Sequence, residues 1–339
     1  MTLWMVRAGR AGEREALALE KNLAVIGWEE LPDLSKVKTR DVLTKLLAET
    51  YPNEKPKTLM NWESQIWPML DTIKTGDLIA LPLKTRSTIA VGHVTGPYKY
   101  NKEIAGGPFH TRPVKWIKEL PRSAFDQDLL YSLGAFMTVC RIQRNNAEDR
   151  IKALLSGKPA SIVAQSLDKE VSTDATTAPD LEQYSHDLIS SHLSQKFKGH
   201  ALTSLVAAVL TAQGYQVRQS PEGPDGGVDI IAGHGALGFD APRLVVQVKS
   251  QDTPVDVNVL RELQGVMKNF QAQHGLLVAW GGYNKSAAKE AARLFFEIRL
   301  WDAGDIVRMV QEHYEQLPEA IQAELPLKRI WALAIDEEA

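Results

Sequence analysis

Three patterns mark this chain as two domains of the α+β and α/β kind. Residues 1 to about 120 hold short apolar strands punctuated by Gly-Asp turns and interrupted by two helices. From about residue 198 helices and strands alternate, which suits a mixed sheet covered by helices. Between them Ser166 to Pro179 is polar, small and without hydrophobic periodicity, the signature of a mobile linker. The first domain should therefore be a compact, partly closed β-barrel with helices, and the second a mixed-sheet domain.

Taken in order, Trp4–Val6, Ala24–Trp28, Asp77–Leu81, Ile89–Val94 and Val114–Ile117 read as strands. Helices are expected at Asp41–Glu49 and around Leu59–Thr72, the second disturbed by Pro68. We place the first domain at 1–145, a helix and linker at 146–180, the second domain at 181–315 and a C-terminal extension at 316–339. Asp180 and Gln183 look like a capping pair, opening a helix whose apolar face is Leu181, Tyr184, Leu188, Ile189 and Leu193. Leu202, Leu205, Val206, Val209 and Leu210 recur at helical spacing, and Gly214 stands where the helix should end. Strands follow at Tyr215–Val217, Val228–Ala232 and Leu244–Lys249. Leu260, Leu263, Met267 and Phe270 mark another helix, and the apolar run Gly275–Trp280 a strand buried on both faces. A helix Ser286–Leu294, a strand Ile298–Trp301 and a helix from Asp305 complete the series.

Composition excludes several classes. At 339 residues the chain holds two domains and a connector, and its 44% hydrophobic content suits a globular protein. The one cysteine, Cys140, rules out an intrachain disulfide and a cysteine-based zinc cluster, and fits a reducing cytoplasm. No apolar run approaches membrane-spanning length, so a cytoplasmic protein is expected. A net charge of −3 neither favours nor forbids DNA binding, which depends on local patches. The eight histidines show no metal-ligand spacing, and His110 and His200 are expected to be structural.

The chemistry concentrates in Gly223-Pro224-Asp225-Gly226-Gly227-Val228-Asp229 and Val246-Gln247-Val248-Lys249. Side chains alternate along a strand, so Gln247 and Lys249 share a face, which Asp229 joins if the two strands pair. A carboxylate and an amide oxygen are hard ligands suited to Mg²⁺. A lysine beside them can hold or deprotonate a water, or neutralise charge on a phosphorane.

These strings, with Gly214-Tyr215, Arg261-Glu262-Leu263-Gln264-Gly265 and Gly275-Leu276-Leu277-Val278, resemble the PD-(D/E)xK nuclease superfamily, and within it the Mrr-type restriction endonuclease catalytic domain. The resemblance implies a nuclease fold in which Asp229 binds metal, Gln247 replaces the usual acidic residue and Lys249 is the catalytic lysine. Mg²⁺ is the implied cofactor, with Mn²⁺ able to substitute. The superfamily often adds a glutamate from the first helix, and Ala201–Gln213 contains no acidic residue. Asp225 is a further candidate ligand from the loop; otherwise the site holds a single metal.

In the first domain Lys74-Thr75-Gly76-Asp77-Leu78-Ile79, Val91-Gly92-His93-Val94-Thr95-Gly96 and His110-Thr111-Arg112-Pro113-Val114-Lys115-Trp116 are similar to the EVE/YTH branch of PUA-like folds. That branch implies a reader of a modified base flipped out of the duplex. Trp28, Trp62 and Trp67 are the candidate pocket walls, since stacking contributes roughly 1–3 kcal/mol per base. Arg112 and Lys115 are candidate contacts to the DNA backbone. Together the halves imply a modification-dependent (type IV) restriction endonuclease acting on double-stranded DNA, active as a homodimer, with no nucleotide cofactor. Two alternatives stand beside it: a repair or phage-defence nuclease that recognises DNA structure, and a nucleic-acid-binding protein that has lost activity.

Overall fold

The computed structural model describes residues 1–102, 104, 109–135, 137–157, 180–221 and 227–331. The linker at 166–179 and Asp225 lie outside the described residues. The described residues divide into two compact units, one within Met1–Tyr184 and the other Ser185–Trp331.

The first unit contains, in chain order, β1 (Leu3–Val6), α1 (Glu15–Glu20), β2 (Leu23–Ile26), α2 (Arg40–Thr50), α3 (Pro56–Trp67), β3 (Leu78–Pro82), β4 (Thr88–Val94), β5 (Lys99–Asn101), β6 (Phe109–Pro121), α4 (Gln127–Leu133), β7 (Val139–Ile142) and α5 (Ala147–Leu155). The sheet runs β2-β6-β4-β3-β1-β7, with β5 added to β6, and curls into a half-barrel. The long β6 is its spine, pairing with β2 and β5 through its first half and with β4 through its second. Alternation gives the sheet a core on each side. Trp4, Val6 and Ile79 pack with Leu43, Leu47 and Ile66 of α2 and α3, while Leu3, Met5, Leu78 and Ala80 pack with Leu129, Ile151 and other residues of α4 and α5. The ladder shifts register at Val91/Gly92. A Cβ on Gly92 would sit 2.6 Å from the Lys115 carbonyl oxygen, so only glycine lets the two backbones approach this closely. At Pro68 the α3 geometry gives way to a single π turn over Pro68–Thr72, closed by the Ile73 N–H on the Pro68 carbonyl.

Helix α6 (Leu181–Lys196) begins at the end of the first unit. Asp180 caps it, accepting from the Gln183 backbone N–H at 3.0 Å. The same carboxylate takes the Lys84 ammonium at 2.6 Å, and its backbone N–H donates to the Gly134 carbonyl, tying the helix start to the first unit.

The second unit continues with α7 (His200–Ala212), β8 (Gln216–Gln219), β9 (Ile230–His234), β10 (Asp240–Lys249), α8 (Val257–Asn269), β11 (His274–Ala279), α9 (Lys285–Arg293), β12 (Ile298–Trp301), α10 (Ala303–His313) and α11 (Glu319–Glu324). Gly214 ends α7 with a positive φ of 92°. The sheet order is β12-β11-β10-β9-β8. β10, β11 and β12 are parallel, while β8, β9 and β10 form an antiparallel meander. Val246 and Val278 face the core under α7 and α10; Val245, Leu277 and Ile231 face the opposite core with α8. Among the described residues no helix is long and apolar enough to cross a membrane.

Candidate active site

Gln247 and Lys249 lie on the face of β10 that also carries Val245, and Asp229 directly precedes β9, whose Ile231 shares that face. The antiparallel ladder pairs Ile231 with Val245 and Ile230 with Val246, so Asp229 and Gln247 are next in line. Here the ladder changes character. The Asp229 backbone N–H donates to the Val246 carbonyl at 3.0 Å, and its Oδ2 accepts from the Val248 N–H at 2.7 Å. Val248 lies between Gln247 and Lys249, so that one bond lays the carboxylate against the strand between both side chains. A second tie fixes Asp229 from behind, as the Ser220 N–H donates to its carbonyl at 2.8 Å. The turn before it approaches α8, where a Cβ on Gly227 would meet the Val266 side chain at 3.5 Å.

Gln247 is 5% exposed, and its Oε1 has no hydrogen-bond partner among the described residues. Leaving a buried carbonyl oxygen unmatched costs about 1–3 kcal/mol, which calls for an explanation. Lys249 is half-buried, and its ammonium has no partner among the described residues. An unmatched amide oxygen beside a carboxylate is a hard-donor pair, and it fits a divalent cation held by Asp229 and Gln247. No three His, Cys, Asp or Glu side chains gather for a metal among the described residues, where the donors at this place are one carboxylate and a neutral amide.

In the first unit the structure brings Trp28 and Trp62 together. Their centroids lie 6.2 Å apart with planes at 66°, an edge-to-face corner, not a parallel slot. Tyr51 extends the corner, 5.0 Å from Trp62 at 78°. Tyr51 is not among the residues the sequence singles out, though its position at the end of α2, one helical turn past buried Leu47, is a signal for it. Its hydroxyl donates to Glu30 Oε2 at 2.8 Å, and burial, then Glu30, pushes its pKa up. Trp67 stands apart from this corner, with the Arg40 guanidinium 5.8 Å from its ring centroid.

Trp28 adopts a left-handed backbone, with φ of 63°, that a bulky residue keeps only when its surroundings enforce it. A buried chain does so. His110 Nε2 donates to the Trp28 carbonyl at 3.1 Å. Since that carbonyl can only accept, the proton sits on Nε2 and the bare Nδ1 accepts from the Tyr98 hydroxyl at 2.7 Å. Tyr98 in turn accepts the Leu34 N–H at 3.2 Å. Burial holds the His110 pKa below its usual value, so the ring stays neutral.

Arg112 corrects an expectation. It is 4% exposed, and Nε, Nη1 and Nη2 donate to the carbonyls of Met69, Gly96 and Leu70 at 2.6, 3.3 and 3.2 Å. The guanidinium ties the π turn to the sheet and is not presented to DNA. Lys115, three residues on, is exposed on β6.

Residues 194–310 match a family model for the Mrr catalytic domain, described as a restriction endonuclease. The second unit thus carries an Mrr-type restriction endonuclease domain. Residues 4–141 match a domain of unknown function, DUF8426, and the PUA-like resemblance finds no corresponding match. No curated relative matches the sequence. Among solved structures, the DNA modification-dependent restriction endonuclease AspBHI is 15% identical with a TM-score of 0.34, over 90% of this chain and 79% of that one. The MspJI restriction endonuclease in complex with a 27-mer oligonucleotide is 12% identical with a TM-score of 0.34, over 96% and 80%. A protein of unknown function, AF1548, is 13% identical with a TM-score of 0.24, over 30% of this chain and 56% of its own.

Proposed function

We propose that this protein is a modification-dependent restriction endonuclease: a metal-dependent endodeoxyribonuclease whose first unit reads a modified base in duplex DNA. The observation that carries the nuclease half is the buried Gln247 oxygen without a partner, beside a carboxylate bonded between Gln247 and Lys249. Asp229 and Gln247 would hold a Mg²⁺ ion, for which Mn²⁺ can stand in. When bound, such an ion polarises the scissile phosphate and lowers the pKa of a coordinated water.

The protein's own residues supply the rest. Lys249 Nζ donates to a non-bridging phosphate oxygen and offsets the charge that accumulates as water adds to phosphorus and the P–O ester bond breaks. This role is electrostatic and asks no proton transfer of the lysine. The Val248 N–H keeps the Asp229 carboxylate against the strand between Gln247 and Lys249. In the first unit the corner of Trp28 and Trp62 is the reading surface, with Lys115 on the phosphate backbone. A single methyl contributes only about 0.8 kcal/mol to burial, and a methyl-sized difference gives about 10–200-fold discrimination. Two protomers that must both engage multiply that ratio and supply a site for each strand, so the active form is a homodimer.

Incubating purified protein with modified and unmodified plasmid, each with and without Mg²⁺, tests this reading. Cleavage of the modified plasmid alone, and only with metal, is expected. Metal-dependent cutting of both plasmids would remove the reader role, and no cutting of either would remove the nuclease.

A further inference from the structure

The face that carries Asp229, Gln247 and Lys249 continues into a groove. Cross-strand pairing puts Arg218 opposite Ile231 and Ile231 opposite Val245. Asp229 and Gln247 lie two residues further along the same strands, about 7 Å away on the same face. Helix α8 packs over Val245 and Leu277 on this face, while Arg218 at the outer strand β8 is exposed. The groove encloses about 450 Å³, floored by Arg218, Ile231 and Val245 and walled by Phe270 beyond α8 and by Leu237 and Phe239 of the β9–β10 turn.

Two properties of this groove point to one occupant. Its charged lining is Arg218 and Arg243, with no carboxylate. Neither arginine is ion-paired among the described residues, and Arg243 Nε is held at 3.4 Å by Gln273 Oε1, which orients its remaining N–H groups. On a chain of net charge −3, two uncompensated arginines beside a phosphodiester-cutting site are a local inversion of sign. Second, Leu237 and Phe239 are 76% and 78% exposed in a hairpin turn, a place where polar residues and glycine normally stand. Apolar side chains projecting beside paired cations suit a DNA groove, where they lie against sugars and base edges while the cations take phosphates.

We infer that this groove holds the DNA duplex flanking the scissile phosphate, with Arg218 and Arg243 each on a phosphate and Leu237 and Phe239 in the minor groove. The inference rests on the nuclease reading and assigns the path the duplex follows away from the cut.

The test uses full-length protein and a short unmodified duplex, with the dissociation constant measured against salt concentration. Arg218→Gln and Arg243→Gln should each lower the slope of log K against log salt by about 1, and the double variant by about 2. Leu237→Ser with Phe239→Ser should weaken binding at every salt concentration while leaving the slope intact, and displace or slow cleavage. Thermal melts check that these exposed substitutions leave folding unchanged. An unchanged slope in the arginine double variant, from a wild type that still cuts with Mg²⁺, overturns the groove and leaves the nuclease standing. A hairpin variant that changes the sedimentation state while DNA binding holds makes the surface a protein interface and also overturns it. Loss of the slope in a protein that cuts no DNA keeps the groove and removes the nuclease.

Discussion

Arg112 in the first unit and Gln247 in the second are equally buried polar side chains, 4% and 5% exposed, yet they are opposite cases. Arg112 has carbonyl partners from Met69, Leu70 and Gly96 and binds three segments of chain into one. Gln247 presents an oxygen that nothing described in the protein satisfies. Burial alone therefore does not separate a polar side chain whose hydrogen bonding the protein completes from one whose bonding it leaves open.

The largest effect belongs to the site beside Gln247. Asp229→Ala and Lys249→Ala should each reduce cleavage by at least about 10²–10³ while DNA affinity and melting temperature stay near wild type. Near wild-type cutting by either would break the assignment. Arg112→Met is the converse: unfolding should become easier by about 3 kcal/mol, since buried carbonyls lose their donors, with the salt dependence of DNA binding unchanged. A changed salt slope in a folded Arg112→Met protein would return that residue to the DNA surface.

Gln247→Leu sharpens the comparison further. Removing an unmatched buried oxygen should stabilise the second unit by about 1 kcal/mol, as read by denaturant titration, while cleavage is lost. Gln247→Glu should keep cleavage and lower the Mg²⁺ concentration needed for half-maximal rate, because a charged ligand replaces a neutral one. A greater demand for metal would remove Gln247 from the ligand set.

The smallest effect is a pH dependence in the first unit. Burial holds His110 below its ordinary pKa, so near that value the unfolded chain binds more protons than the folded one. Stability from this residue should be present above about pH 6.5, the ordinary histidine value, and fall as pH drops through it toward the lower folded pKa. His110→Gln should flatten that part of the profile; an equally steep loss in the variant would assign it to another group.

The second unit was the more legible half. Ile298–Trp301 forms β12 at the expected bounds, and the apolar run after Gly275 becomes a strand paired on both sides. Strand alternation was enough to bring Gln247 and Lys249 to one face. What alternation could not reveal is that the Asp229 side chain, one step past the regular pairing, takes up the Val248 N–H. The first unit was harder because its decisive contacts are distant in sequence. Arg112 reads as a surface cation on a strand until the π turn brings two carbonyls from more than forty residues away. Strand β7, Val-Cys-Arg-Ile, carries too little pattern to announce itself and is specified by its pairing with β1. Trp28 reads as the end of a strand, whereas its positive φ turns the chain away there.

The hydrogen-bond chain from Leu34 through Tyr98 and His110 to Trp28 has a direction, since each donor in it has only one acceptor to serve. A chain of that kind behaves as a rod with a single sense, and slack cannot enter at one link without releasing the next. The backbone N–H of Leu34 and the backbone carbonyl of Trp28 are thus joined through two side chains. Replacing Tyr98, distant from Trp28 along the chain, would remove the acceptor of the Leu34 N–H and the donor to His110 Nδ1 at once, and so loosen the turn at Trp28.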